Sequence, residues 1–140
     1  MGVREIASQL AHVPIFAGCS TKELDLIARS AKVVWRKAGA VLAREGEPGI
    51  GLFLILEGDA EVTIGGKRRA ALGKGDFFGE VALLDGGPRT ATVTATSPVT
   101  VAGITEWVFR SLLVQHPSIA LKTLETLAAR LRSASKDASV

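Results

Sequence analysis

A mainly β fold with helices at both ends is predicted, of antiparallel sandwich or barrel type, and three observations predict it. Between residues 32 and 105, short β-prone runs alternate with glycine-rich turns at the spacing such folds use. At either end the periodicity changes to that of amphipathic helices. Hydrophobic residues make up 47% of the chain but aromatics only 5%, with no Tyr, so the core must be mostly Val, Leu, Ile and Ala. The length of 140 residues suits one domain over 1–140. Within it, a helical segment is expected at 1–31, strands at 32–105 and further helices at 106–133.

Val3, Ile6 and Leu10 recur at helical spacing in the first 18 residues until Pro14 breaks the pattern, with Ile15 and Phe16 expected in the core beside it. Ser20-Thr21-Lys22-Glu23 has the pattern of a capping box, in which Glu23 reaches back to the Ser20 amide. The helix that follows places Leu24, Ile27 and Ala28 on one face and ends near residues 30–32. Strand candidates fall at 33–35, 41–42, 52–56, 60–64, 69–72, 90–95 and 99–104, and a further strand ends at Phe77-Phe78. Turn signals separate them, among them Gly46-Glu47-Pro48-Gly49, Gly58-Asp59, Gly65-Gly66 and Gly73-Lys74-Gly75. Thr105 suits the cap of a helix from 106 to 114, and Pro117 the first position of another to about 133. Leu121, Leu124, Leu127, Ala128 and Leu131 form an apolar stripe on that last helix, fit either for packing on the sheets or for dimerisation. Residues 135–140 are expected to fray.

The stretch 77–94, FFGEVALLDGGPRTATVT, concentrates the chemistry. Gly79 frees the backbone to turn after two aromatics, and residues 80–84 are long enough for about one helical turn. The first amides of such a turn have no intrahelical partner and suit an anion. Asp85-Gly86-Gly87-Pro88 is a dense turn signal, and Pro88 stiffens the backbone before Arg89, whose forked guanidinium matches phosphate oxygens. Thr90 to Thr94 then alternates as a strand does. Glu80 can accept a hydrogen bond from a sugar hydroxyl, while Arg89 can neutralise a phosphate. Charge chemistry alone leaves two readings open, a grip for a small sugar phosphate or two solvated charges on a surface loop.

F-G-E-x-A-L-L at 78–84, followed by P-R-T-A-T-V at 88–93, resembles the phosphate-binding cassette of the cyclic nucleotide-binding domain family. That family includes bacterial catabolite activator proteins, kinase regulatory subunits and cyclic-nucleotide-gated channels. P-I-F-A-G-C-S-T-K-E-L at 14–24 is similar to its helical prelude, and G-L-F-L-I-L-E-G-D-A-E-V at 51–62 to its central hairpin. The resemblance runs from about Ile15 to Leu131. It implies an eight-stranded jelly-roll-like β barrel (a double-stranded β-helix) and reversible binding of cyclic AMP, ahead of cyclic GMP. Carried over by position, Glu80 binds the ribose 2′-hydroxyl and Arg89 the equatorial phosphate oxygen. Gly79, Ala82, Thr90 and Ala91 supply amides or close approach, and Phe78 and Val81 complete the ligand-binding set. Arg130 reaches Glu80 and ties the last helix to the occupied cassette, with Leu127, Leu131 or a residue just beyond capping the purine; for Arg130 and Arg132 the alternative is a solvated face. Thr90 does not discriminate between the two bases.

The implied role is a non-catalytic sensor that needs no cofactor beyond its nucleotide and whose last helix closes when ligand is bound. The alternative is a degenerate, ligand-free barrel serving as a protein-interaction scaffold. Expected partners are the cyclic nucleotide and either an effector protein or a second copy through the C-terminal helix. No helix-turn-helix follows Leu131, so direct nucleic acid binding is not expected. The chain reads as a stand-alone receptor or as a regulatory domain excised from a channel, kinase, acyltransferase or transcription factor.

Composition and the remaining motifs narrow the other classes. A net charge of +3 and a pI near 9.4 accord with an anionic ligand, but no Lys/Arg run marks nucleic acid or a membrane surface. The single Cys19 cannot form an intrachain disulfide, and with no signal peptide or membrane span a bacterial, cytoplasmic setting is expected. His12 and His116 stand alone, without metal-ligand spacing. Gly73-Lys74-Gly75-Asp76 lacks the spacing of a phosphate loop and reads as a hairpin turn, and Ser20 and Ser30 have no hydrolase motif around them. As a general base Glu80 would need a second acid or a metal, so a receptor is preferred to a phosphodiesterase.

Overall fold

The computed structural model describes residues 2–49 and 51–134, and the expectation for residues 135–140 lies outside them. Two helices, α1 (Val3–Leu10) and α2 (Thr21–Ser30), stand first, joined through a 3₁₀ turn at Pro14–Phe16. The helical pattern of the first 18 residues is thus divided, because Pro14 has no amide to continue α1 and instead opens the tighter turn. The capping box is present in full: the Glu23 amide donates to Ser20 Oγ at 3.1 Å and the Ser20 amide to Glu23 Oε1 at 2.8 Å.

Eight strands follow: β1 (Lys32–Arg36), β2 (Val41–Ala43), β3 (Gly51–Glu57), β4 (Ala60–Ile64), β5 (Lys67–Leu72), β6 (Phe77–Phe78), β7 (Thr92–Ala95) and β8 (Val99–Thr105). They form two four-stranded antiparallel sheets, ordered β1-β8-β3-β6 and β2-β7-β4-β5. The mainly β expectation therefore holds, as a jelly-roll-like sandwich of two sheets. β3 explains its own unbroken apolar run, since it is covered on both faces. Leu52, Leu54 and Leu56 point to a core shared with Ile6, Leu10, Phe16, Ile27, Phe109 and Ile119 of the helical layer. Ile55 points the other way, between the sheets, with Val93, Ala95, Val99 and Val101.

A four-residue helix, α3 (Ala82–Asp85), interrupts the strands, and α4 (Glu106–Gln115) and α5 (Pro117–Ala134) end the described chain. Thr105 caps α4 by accepting the Val108 amide at 3.2 Å. One expectation needs correction, and one pair of alternatives is narrowed. β7 begins at Thr92, leaving Thr90 and Ala91 in a bend, because the Arg89 backbone pairs with Glu47 and Gly46 instead of joining a ladder. On α5 the buried face is Ile119 and Thr123, with Leu127 packed against the core; Leu121, Leu124 and Leu131 are exposed by 60%, 62% and 69%. The leucine stripe thus faces outward, and most of it does not pack on the sheets.

Candidate functional site

The aromatic pair of β6 hydrogen-bonds to β3 through Phe53 and Leu54, and Gly79 then turns the chain with φ of +87°. A Cβ on Gly79 would collide with the Arg89 guanidinium and the Gly51 carbonyl, so glycine is needed here for space as well as for conformation. The Leu83 amide closes on the Gly79 carbonyl at 3.0 Å, which starts α3 and leaves the three preceding amides outside the intrahelical ladder. Gly86, at φ +65°, ends the turn, its amide donating to Ala82 at 2.8 Å.

Arg89 is fixed by a second loop. Its amide donates to the Glu47 carbonyl at 2.8 Å, its carbonyl accepts from the Gly46 amide at 2.8 Å, and the Gly49 amide donates to Gly87 at 2.9 Å. The segment after β2 thereby runs beside residues 87–89, with Pro48 bridging Pro88. The side chain is half-buried. Its Nη2 donates to the Gly51 carbonyl at 2.8 Å, and the guanidinium carbon lies 5.9 Å and 6.0 Å from the ring centroids of Phe53 and Phe78. Those rings stack on each other at 5.3 Å. Among the described residues no carboxylate lies within ion-pairing distance of Arg89. Burial lowers the guanidinium's pKa from its ordinary value, the mark of a desolvated cation.

Glu80 is held by other elements. It is 9% exposed, and its carboxylate accepts from Arg130 Nη1 at 2.8 Å and from the Ile15 amide at 3.4 Å. Buried Glu80 and half-buried Arg89 both line one cavity of about 510 Å³. All eight residues of the expected ligand-binding set line it: Phe78, Gly79, Glu80, Val81, Ala82, Arg89, Thr90 and Ala91. Ala43, Val62 and Val93 add an apolar wall from the second sheet. The volume falls within the range of small-molecule sites, and an apolar wall with a few convergent polar groups is their usual composition. Of the three residues expected as a lid, Arg130 contacts the site through Glu80; Leu127 packs on the helical core and Leu131 faces outward.

Several contributors escaped the sequence reading. Gly51 and Glu47 act through carbonyls and Ile15 through its amide, which no side-chain pattern signals. The sequence did hold one hint, three glycines within residues 46–51, more than a single turn requires. A Cβ on Gly49 would press on Ala82, the Gly87 carbonyl and Arg89, and one on Gly51 on the backbone at Ile104 and Thr105. No group of three or more His, Cys, Asp or Glu among the described residues could hold a metal ion. Burial and then the Glu23 carboxylate push the pKa of the Cys19 thiol up, against a smaller opposing effect of Lys122. No helix among the described residues is long and apolar enough to cross a membrane.

The chain is similar to known proteins in sequence and in fold. Residues 33–116 match the family model described as the cyclic nucleotide-binding domain. The chain is 38% identical over 111 residues to a cyclic nucleotide-gated potassium channel of Mesorhizobium japonicum, covering 79% of this chain and 31% of that protein. It is 35% identical over 116 residues to a cAMP-dependent protein kinase regulatory subunit of Colletotrichum orbiculare, covering 81% of this chain and 30% of that one. The chain thus spans about three tenths of the length of these curated relatives. Among solved structures, the N-terminal domain of a transcriptional regulator from Streptomyces coelicolor A3(2) superposes with a TM-score of 0.82 at 29% identity, over 91% of this chain and 95% of that one.

Proposed function

The chain belongs to the cyclic nucleotide-binding domain family, and from that premise we propose that its cavity reversibly binds a 3′,5′-cyclic nucleotide, cyclic AMP ahead of cyclic GMP. The observation that carries the reading is Arg89, a half-buried cation with a neutral carbonyl as its hydrogen-bond partner and, among the described residues, no anion beside it. A charge removed from water without a counter-charge is costly, and a bound phosphodiester would supply that counter-charge. Glu80 would accept the ribose 2′-hydroxyl, and the apolar wall of Ala43, Val62 and Val93 would take the purine. The preference for cyclic AMP rests on the kinase-subunit relative, whose name carries that nucleotide.

One relative is a kinase regulatory subunit and one solved structure is a domain of a transcriptional regulator, which supports the reading of a non-catalytic sensor; a cytoplasmic setting is part of the same proposal. Ligand would draw the cassette and α5 together, because Glu80 contacts both the cavity and Arg130. The outward leucines of α5 would meet an effector or a second copy. A ligand shifts such an equilibrium only by its difference in affinity for the two states. Calorimetric titration with both cyclic nucleotides tests the assignment. Arg89→Ala should lose about 2–5 kcal/mol of binding free energy, and Arg89→Lys part of that, since lysine keeps the charge but not the fork. Affinity unchanged in Arg89→Ala would refute the assignment.

A further inference from the structure

Among the described residues the last helix is held by two ion pairs, and only one of them touches the candidate site. The other is centred on Glu23 of α2, which is buried although charged. Its carboxylate accepts the Ser20 amide at 2.8 Å, the Ser118 hydroxyl and the Lys122 ammonium. Ser118 and Lys122 lie in the first two turns of α5, so one carboxylate fastens the start of that helix to α2. Ile119 and Thr123 are buried at the same level, and the Thr123 hydroxyl is satisfied by the Ile119 carbonyl at 2.9 Å. Beyond Thr123 the hold is sparse. Leu124 and Leu131 face outward, Leu127 packs on the core, and Arg130 reaches Glu80.

Lys122 and Arg130 are eight residues apart, about 12 Å along a helix axis. On a continuous helix, the pose fixed at one end determines where the other end lies. An exposed ion pair would leave that pose loose. A buried carboxylate gripped by three donors from two elements does not. We infer that Glu23 is a positioning residue for the ligand site, setting the pose of α5 from which Arg130 meets Glu80. The inference rests on the cassette being the nucleotide site, because only then does the place of Arg130 bear on affinity.

The test is a double-mutant cycle with cyclic AMP as the titrant, using wild type, Glu23→Gln, Arg130→Met and the double variant. Glu23→Gln keeps the shape and the capping acceptor but removes the charge. Positioning predicts about tenfold weaker binding in Glu23→Gln, with that loss absent once Arg130 is Met. Equal losses in both backgrounds, or no loss in the first, overturn the inference, since a merely structural residue acts without regard to Arg130. Amide exchange in the ligand-free protein is the second readout. Glu23→Gln should speed exchange at residues 124–134 as well as at 117–123; unchanged exchange at 124–134 overturns the inference. Should wild type take up no nucleotide, the proposed ligand fails, and exchange alone decides the role of Glu23.

Discussion

Nη1 of Arg130 lies 2.8 Å from Oε1 of Glu80, and the two side chains are unequally exposed, 47% for the arginine and 10% for the glutamate. The pair joins residues fifty apart in sequence, one on the last helix and one on the cassette. Its asymmetry has a consequence. The arginine loses little on release because water can solvate it, whereas the glutamate would stay buried with, among the described residues, only the Ile15 amide for support. The carboxylate is therefore the dependent partner.

Arg130→Met removes the cation and keeps much of the apolar stem. The half-exposed arginine is partly screened by solvent, so the expected loss of stability is modest, about 1–2 kcal/mol in urea denaturation. Amide exchange at residues 124–134 should quicken in the same variant. An unchanged unfolding midpoint together with unchanged exchange would show that the pair neither stabilises the fold nor holds the helix.

Glu80 makes a sharper prediction because ligand and protein can be altered separately. Removing the ribose hydroxyl, by titrating 2′-deoxy cyclic AMP into wild type, should lose about 1.5–3 kcal/mol, the usual contribution of a hydrogen bond to a charged group. Glu80→Ala should bind cyclic AMP with a similar deficit, and the deoxy ligand should then cost it nothing further. Additive losses in the cycle would mean that Glu80 and the hydroxyl do not meet.

How far the sequence foretold this site depended on distance along the chain and on which atoms act. The Ser20–Glu23 capping box spans four residues, and the cassette from Phe78 to Ala91 is nearly contiguous, so both were legible. The hydrogen bonds of Arg89 to Gly51 and of Glu80 to Ile15 cross 38 and 65 residues and use backbone atoms, which leave no side-chain signature. The leucine stripe of α5 stayed ambiguous in the sequence for another reason. Periodicity reveals that a helix has an apolar face but not which way the helix is rolled. Ile119 and Thr123 took the inner face here, beside the Glu23 clamp, and turned Leu121 and Leu124 outward. Alternation of Thr and Ala also ran two residues ahead of β7, since the Arg89 backbone is claimed by the loop at Gly46 and Glu47.

Two glycines separate the cost of backbone strain from the cost of crowding. Gly75 and Gly79 have φ of +91° and +87°, so alanine is strained at both. A Cβ at Gly75 meets nothing within 4 Å, whereas one at Gly79 meets the Arg89 guanidinium and the Gly51 carbonyl. Gly75→Ala should destabilise by about 1 kcal/mol and leave nucleotide affinity intact. Gly79→Ala should destabilise more and weaken binding as well, because Arg89 must move. Equal stability and affinity in the two variants would place the guanidinium elsewhere.

The pH dependence of stability follows from Glu23. Hydrogen bonds from Lys122, then Ser118 and the Ser20 amide, favour its ionised form and lower its pKa from 4.5 to about 2, against an opposing push from burial. A carboxyl with a depressed pKa in the folded state binds its proton more readily when unfolded, so acid favours the unfolded chain. The stabilisation is complete above the unfolded value, near pH 4.5, and is lost progressively as pH falls towards 2. Urea midpoints measured across that interval should therefore decline in wild type. Glu23→Gln, which cannot titrate, should be less stable at neutral pH but decline less steeply over the same interval, so that the two curves converge in acid. Parallel curves would mean that the Glu23 carboxylate is no better held in the folded chain than in the unfolded one, and the clamp on α5 would then lack its electrostatic basis.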